Sequence, residues 1–190
     1  MTAARVLVGG IGYRNLSDYS AGVLAVDVLA QRQWPEHVVV EDVSYGPIAV
    51  VQRLQDETAD RTFGRLVSVS SVARGGGRIP GTITAYRWDG VLPSPDEVQG
   101  AVAEAVTGVI SMDNTLIVCR QFGALPDETI VVEIEPLVQE CGEELSAPIA
   151  AIFDSLCAMV TTLATDEAAV NLLPIAPLGG HMASAPVGAS

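Results

Sequence analysis

Aromatic side chains are scarce: Phe, Tyr and Trp make up only 5% of the 190 residues. A core must therefore be assembled from Val, Leu, Ile and Ala, and the 49% hydrophobic content supplies them. Positive charge is scarce as well, with 10 Lys and Arg against 23 Asp and Glu and a net charge of −13. A phosphate backbone or an anionic lipid surface would be repelled, so neither nucleic acid nor a membrane is expected as a partner. A protein with a basic patch suits that charge better. The three cysteines, Cys119, Cys141 and Cys157, form no CxxC pair and no metal-ligand spacing. They read as small free thiols rather than as a redox or zinc centre. No secretory signal precedes the first strand and no apolar run is expected to span a bilayer, so the expected compartment is the cytoplasm. Histidine is nearly missing. His37 opens a strand, and His181 lies in Gly180-His181-Met182-Ala183-Ser184, which resembles a vector-derived scar and carries no functional weight.

What remains has the length of one domain, expected over residues 1–172. Strand-like runs rich in β-branched residues occur at Arg5–Gly9, His37–Val43, Arg65–Val72, Gly81–Trp88 and Glu128–Ile134. Helical spacing appears from Ala21 to Arg32 and from Pro47 to Asp56. Ser94-Pro95-Asp96-Glu97 has the form of an N-cap, a proline in the first turn and a capping-box glutamate, and apolar residues follow at helical spacing to Val109. A last helix starts near Ser146 and turns Ile149, Ile152, Phe153, Leu156, Val160 and Leu163 inward. The alternation predicts an α/β three-layer sandwich: a twisted, mostly parallel sheet of about five strands with helices on both faces. Gly81–Trp88 is expected at an edge, in antiparallel orientation. The Pro/Gly/Ala-rich stretch 173–190 reads as a tail without regular structure. Arg74–Arg78 is a basic, glycine-rich loop that lacks the lysine and following helix of a phosphate cradle, and it reads as a mobile connection.

The opening run Val6-Leu7-Val8-Gly9-Gly10-Ile11-Gly12, followed by Asn15-Leu16-Ser17-Asp18-Tyr19-Ser20-Ala21-Gly22, takes a buried strand through a polar loop into a helix. Open α/β sheets place their ligand sites at such carboxyl-terminal strand ends. Asp18 is the acid of that loop. Its ordinary reading is a helix-start acid answering the dipole. Asp42 reads as a turn acid and Asp96 as the second residue of a capped helix. Ser70 and Ser71 have no histidine partner for a nucleophilic triad, and no nucleophile elbow is present.

The order of these landmarks resembles that of the hydrogenase maturation proteases, which trim the C-terminal extension of nickel–iron hydrogenase large subunits. The resemblance rests on Leu7 to Gly12 with Asp18 and Gly22, on Glu41-Asp42-Val43-Ser44-Tyr45-Gly46, and on Ile79-Pro80-Gly81-Thr82. It continues through Phe122-Gly123-Ala124-Leu125-Pro126-Asp127-Glu128, Glu133-Ile134-Glu135-Pro136 and Cys141-Gly142-Glu143-Glu144-Leu145-Ser146. It implies that Gly12 and Gly22 shape the loop and that a divalent metal, nickel in the family's working picture, is recognised by a carboxylate, an aspartate and a histidine. The positions that match those ligands hold Tyr19, Ser70 and either Asp113 or Asp96. Tyr and Ser hydroxyls are poor ligands for a divalent transition metal. Two readings follow. The chain is a protease-like processing or checking factor whose metal-dependent cleavage is lost or altered, with Asp18, Asp42 and Asp113 or Asp96 as substitute carboxylates and nickel or another divalent ion as cofactor if active. Alternatively, it is a non-catalytic binding or chaperone subunit that keeps the fold. Either implies a protein partner, a hydrogenase large subunit or another maturation factor.

Overall fold

Each β-branched run bounded by Gly, Pro or charge forms a strand in the computed structural model, which describes residues 4–57 and 61–179. The strands are β1 (Val6–Gly10), β2 (Val38–Asp42), β3 (Arg65–Ser71), β4 (Ile83–Trp88), β5 (Glu128–Ile134) and the short β6 (Ile175–Ala176). They form one six-stranded sheet in the order β2-β1-β3-β5-β4-β6. β1 runs parallel to both β2 and β3, and β3 runs parallel to β5. β4 is antiparallel to β5, as its alternating pattern predicts.

Helices α1 (Ala21–Ala30), α2 (Pro47–Gln55), α3 (Pro95–Val106), α4 (Met112–Gln121), α5 (Ala147–Thr165) and α6 (Glu167–Asn171) cover the sheet. The period of two along β1 divides its side chains between the layers. Val6 and Val8 face the cluster built with Val26 and Leu29 of α1 and Ile149, Leu156 and Val160 of α5. Leu7 faces the opposite cluster with Val50 and Leu54 of α2, Ala101 of α3 and Leu116 of α4. The protein is thus the expected α/β three-layer sandwich.

Three departures have physical causes. The stretch from residue 173 was expected to lack regular structure, yet Ile175 and Ala176 pair with Arg87 and Trp88 of β4. The Arg87 N–H donates to the Pro174 carbonyl at 2.9 Å and the Asp89 N–H to the Ala176 carbonyl at 3.0 Å. An open β4 edge would leave those donors bare, and a proline can supply a carbonyl without offering an N–H. Residues 180–190, with His181, lie outside the described residues. Second, the apolar face expected to continue to Val109 breaks after Val106. Gly108 adopts φ +82°, and Ser111 then caps the separate helix α4 by accepting the Asn114 N–H. Third, α5 is 19 residues long with a mean hydropathy of 1.6, so by length and composition it meets the requirement for a membrane-crossing helix that the sequence was expected to lack. Its hydropathy has a local explanation, because Ile149, Leu156, Cys157, Val160 and Leu163 are buried on the sheet.

The start of α1 is pressed onto the strand ends. A Cβ on Gly22 would fall on the Val69 carbonyl oxygen and lie 2.8 Å from that of Ile11, and one on Gly12 would fall on the Tyr19 carbonyl. Backbone atoms cannot yield as a flexible side chain would. Gly22→Ala is therefore expected to destabilise the fold by about 3 kcal/mol, read as a lower urea midpoint at unchanged slope.

Candidate functional site

The chain winds from β1 to β2 on one side and to β3 on the other, which opens a crevice at the carboxyl ends of β1 and β3. A cleft of about 380 Å³ occupies that point. Gly12, Tyr13 and Tyr19 reach it from the loop after β1, and Ser70, Ser71 and Val72 from the end of β3. Ser111 and Asp113 come from the start of α4, and Gln139 from the loop after β5. A larger cavity of about 610 Å³ lies between the segment before α3, α3 itself and the end of α4. Its lining carries no titratable side chain, so the smaller cleft is the place for chemistry.

The two acids that the resemblance offers for the third ligand position, Asp113 and Asp96, lie in different places. Asp113 shares the cleft with Tyr19 and Ser70. Asp96 is exposed in the first turn of α3, whose Ser94–Glu97 capping box is complete, and is not part of the cleft. His37 lies just before β2, where its carbonyl accepts the Val6 N–H at 2.8 Å. That is the amino end of the parallel strands, the opposite end of the sheet from Ser70 and Ser71.

Asp18 is fully buried, and its carboxylate is consumed by the scaffold. Oδ2 accepts the N–H groups of Leu137 and Val138 and the Ser146 hydroxyl, while Oδ1 accepts the Ser146 N–H, each at 2.8 Å. Burial alone would raise this carboxyl's pKa, but those donors bring it below the ordinary aspartate value. The Asp18 carbonyl in turn accepts the Ser71 hydroxyl at 2.5 Å. Asp42 accepts its neighbour Ser44 N–H at 2.9 Å and the Arg14 guanidinium at 2.8 Å, outside the cleft. Neither acid is free to act as a substitute ligand. Asp18 instead fixes the loop after β5, and so Gln139, against the strand-loop-helix opening.

Sequence reasoning missed the charged centre beside the cleft. Arg74 leaves the supposed mobile connection and is anchored on both sides. Its Nη1 and Nη2 donate to Asp113 Oδ2 and Oδ1 at 2.5 and 2.7 Å. Nε and Nη2 also donate to Glu133 Oε2 and Oε1 at 3.0 and 2.5 Å. Burial opposes the charge, yet the two carboxylates hold this guanidinium protonated well above its ordinary range. Glu133, only 1% exposed on β5, further accepts the Tyr86 hydroxyl at 2.7 Å. Glu135 accepts the N–H groups of Arg74 and Gly75 at 3.1 and 3.4 Å. One signal was present in the sequence: a glutamate inside a buried strand requires a cationic partner, and Arg74 and Arg78 flank the glycine run.

Apart from Asp113 the cleft is uncharged: the hydroxyls of Tyr13, Tyr19, Ser70, Ser71 and Ser111 and the Gln139 amide sit among the apolar Val72, Val109, Ile110 and Met112. Tyr19 is half-buried, and burial together with the Glu135 and Asp18 carboxylates pushes its hydroxyl above its ordinary pKa, so it stays protonated. Ser70 donates only a 3.3 Å bond to the Ser71 carbonyl. Among the described residues no group of three or more His, Cys, Asp or Glu is placed to hold a metal ion. Two neutral hydroxyls and one carboxylate already paired with arginine do not fit a divalent ion. Of the cysteines, Cys119 and Cys157 are buried and Cys141 is exposed, all free. Burial pushes the Cys119 thiol up to about 12, which leaves it unreactive.

This α/β sandwich is like the fold of the hydrogenase maturation endopeptidases of known structure. The chain is similar to the hydrogenase maturating endopeptidase HybD from E. coli, with 22% identity, a TM-score of 0.60, and 84% of this chain and 91% of that chain covered. It is also similar to the hydrogenase 2 maturation peptidase from Thaumarchaeota archaeon SCGC_AB-539-E09, at 22% identity and TM-score 0.56 over 82% and 95% of the two chains. The NiFe hydrogenase maturation protease HycI from Thermococcus kodakarensis KOD1 matches at 16% identity and TM-score 0.58, over 85% and 92%. No protein-family model and no curated protein matches.

Removal of the Asp18 carboxylate tests the scaffold role. Asp18→Asn is expected to cost roughly 2–4 kcal/mol, read by urea unfolding. Because the folded pKa is depressed, the carboxylate's contribution is full above the unfolded value and is lost as pH falls through the folded one. As pH falls below the ordinary aspartate range, the wild type should therefore lose more stability than Asp18→Asn.

Proposed function

We propose that this chain is a hydrogenase-maturation-protease-like protein that processes or checks the large subunit of a nickel–iron hydrogenase in the cytoplasm, with metal-dependent cleavage lost or altered. The observation that carries the proposal is the convergence of Tyr19, Ser70 and Asp113 on one cleft at the switch point of a maturation-endopeptidase fold. A protein partner is favoured because the fold's solved neighbours are maturation endopeptidases and the cleft is rimmed by the exposed Ala73, Val109 and Gln139. Nickel, or another divalent ion, enters only as cargo of that partner.

A specific observation favours the second reading, a non-catalytic binding or chaperone subunit. The cleft hydroxyls are neutral, and the single cleft carboxylate is engaged by Arg74. Such a surface suits hydrogen bonding to a polypeptide better than polarising a peptide bond.

The test mixes the full chain with a nickel-loaded large-subunit precursor that retains its C-terminal extension. Biolayer interferometry is expected to show a complex, weakened about tenfold or more by Ser70→Arg, which fills the cleft. Intact-mass spectrometry is expected to find the precursor at full length. Trimming of the precursor would establish the processing role, and the absence of any complex would sink both readings.

A further inference from the structure

Asp113 is the only carboxylate among the residues that line the cleft, and it gives both oxygens to Arg74. The same guanidinium binds both oxygens of Glu133, which is nearly sealed from solvent. Arg74 is itself mostly buried, with 13% of its side chain exposed. Its own backbone N–H and that of Gly75 are tied to Glu135. Two carboxylates thus share one guanidinium in a closed hydrogen-bonded arrangement, with the Arg78 guanidinium a further 3.5 Å contact to Glu133.

We infer that Arg74 is the resident cation of this cleft, holding Asp113 and Glu133 so that the cleft binds its partner without a divalent ion of its own. A hard divalent ion competes for the same carboxylate oxygens. To enter, it must break the bidentate Arg74–Asp113 pair and set a second positive charge beside a mostly buried guanidinium whose remaining bonds go to Glu133, which low-dielectric surroundings penalise. Tyr19 and Ser70 offer only neutral hydroxyls in exchange. The arginine thereby sets the ligand class of the cleft: a polypeptide met by hydroxyl and amide hydrogen bonds and by the apolar Val72, Val109, Ile110 and Met112, with no protein-held metal bridging the two.

The inference rests on the reading of this cleft as the functional site, but its test involves no partner. Failure of complex formation and failure of the metal titration are therefore separate results. The probe is MnCl2, a divalent ion suited to oxygen ligands, titrated into the full chain by calorimetry. The wild type is expected to show no stoichiometric site with a Kd below about 1 mM. Arg74→Gln should bind one Mn2+ about tenfold more tightly or better, and Arg74→Gln combined with Asp113→Asn should lose it again. Arg74→Lys keeps the charge and should keep the ion out. A micromolar wild-type site abolished by Asp113→Asn would overturn the inference, as would an Arg74→Gln protein with no gain. If Arg74→Gln fails to fold, the wild type decides by NMR. Broadening of the Ser70, Ser111 and Asp113 amide signals at equimolar Mn2+ overturns the inference, and unchanged signals support it.

Discussion

The architecture of the cleft depends on one buried carboxylate. Asp18 belongs to the opening strand-loop-helix, yet all its hydrogen bonds go to a segment more than a hundred residues later, the loop between β5 and α5. By accepting four donors it turns a flexible connection into a wall of the crevice and sets the residue that precedes α5. Stranding those donors or that charge in the interior would cost several hydrogen bonds at once. Asp18 also accepts the Ser71 hydroxyl through its own backbone carbonyl. Three pieces of chain, distant in sequence, are therefore registered to one another by a single residue. The glycines around it serve the same end from the opposite direction, because the absence of a Cβ at Gly12 and Gly22 lets α1 seat on the strand ends.

Charge is arranged in two tiers around this scaffold. Asp18 is stabilised by dipoles, namely amides and a hydroxyl, whereas Glu133 and Asp113 share the full positive charge on Arg74, with Arg78 3.5 Å from Glu133. Dipoles suit an acid that must never move. An ion pair placed at the edge of a crevice leaves a charged group where a partner can approach. The net acidity of the chain, −13, is largely a matter of its surface and adds nothing to this balance.

Much of the fold was legible because it depends on local patterns. The period of two in Val6-Leu7-Val8, the capping box at Ser94 and Glu97, and the inward face of Ile149, Leu156 and Val160 each point to one element and one buried side. The end of α3 was obscured because Val109 happens to fall at helical spacing past Gly108, and periodicity does not register a left-handed turn. β6 was hidden for a different reason. Two residues make no pattern, and Ile175 and Ala176 form a strand only because β4 presents open donors beside them. In the site, the family resemblance pointed to Tyr19, Ser70 and either Asp113 or Asp96, and of these acids it is Asp113 that lines the cleft with Tyr19 and Ser70. The roles of Asp18 and Arg74 were out of reach, since a carboxylate's four partners and a guanidinium's two are long-range facts. The glycine run misled, because glycine around Arg74 signals backbone freedom and says nothing about where the arginine side chain is held.

The strap at the carboxyl-terminal edge has a reach beyond covering β4. The Gly179 N–H donates to the Tyr86 hydroxyl at 3.0 Å, and that hydroxyl donates to Glu133. Arg78 closes the loop, donating to the Gly179 carbonyl at 3.1 Å. The last described residue is thus joined, through a phenol and a buried acid, to the arginine that holds Asp113. The boundary of the sheet and the chemistry of the crevice are one hydrogen-bonded chain, so trimming the strap before Gly179 would remove a donor from the far end of the cleft's own charge balance.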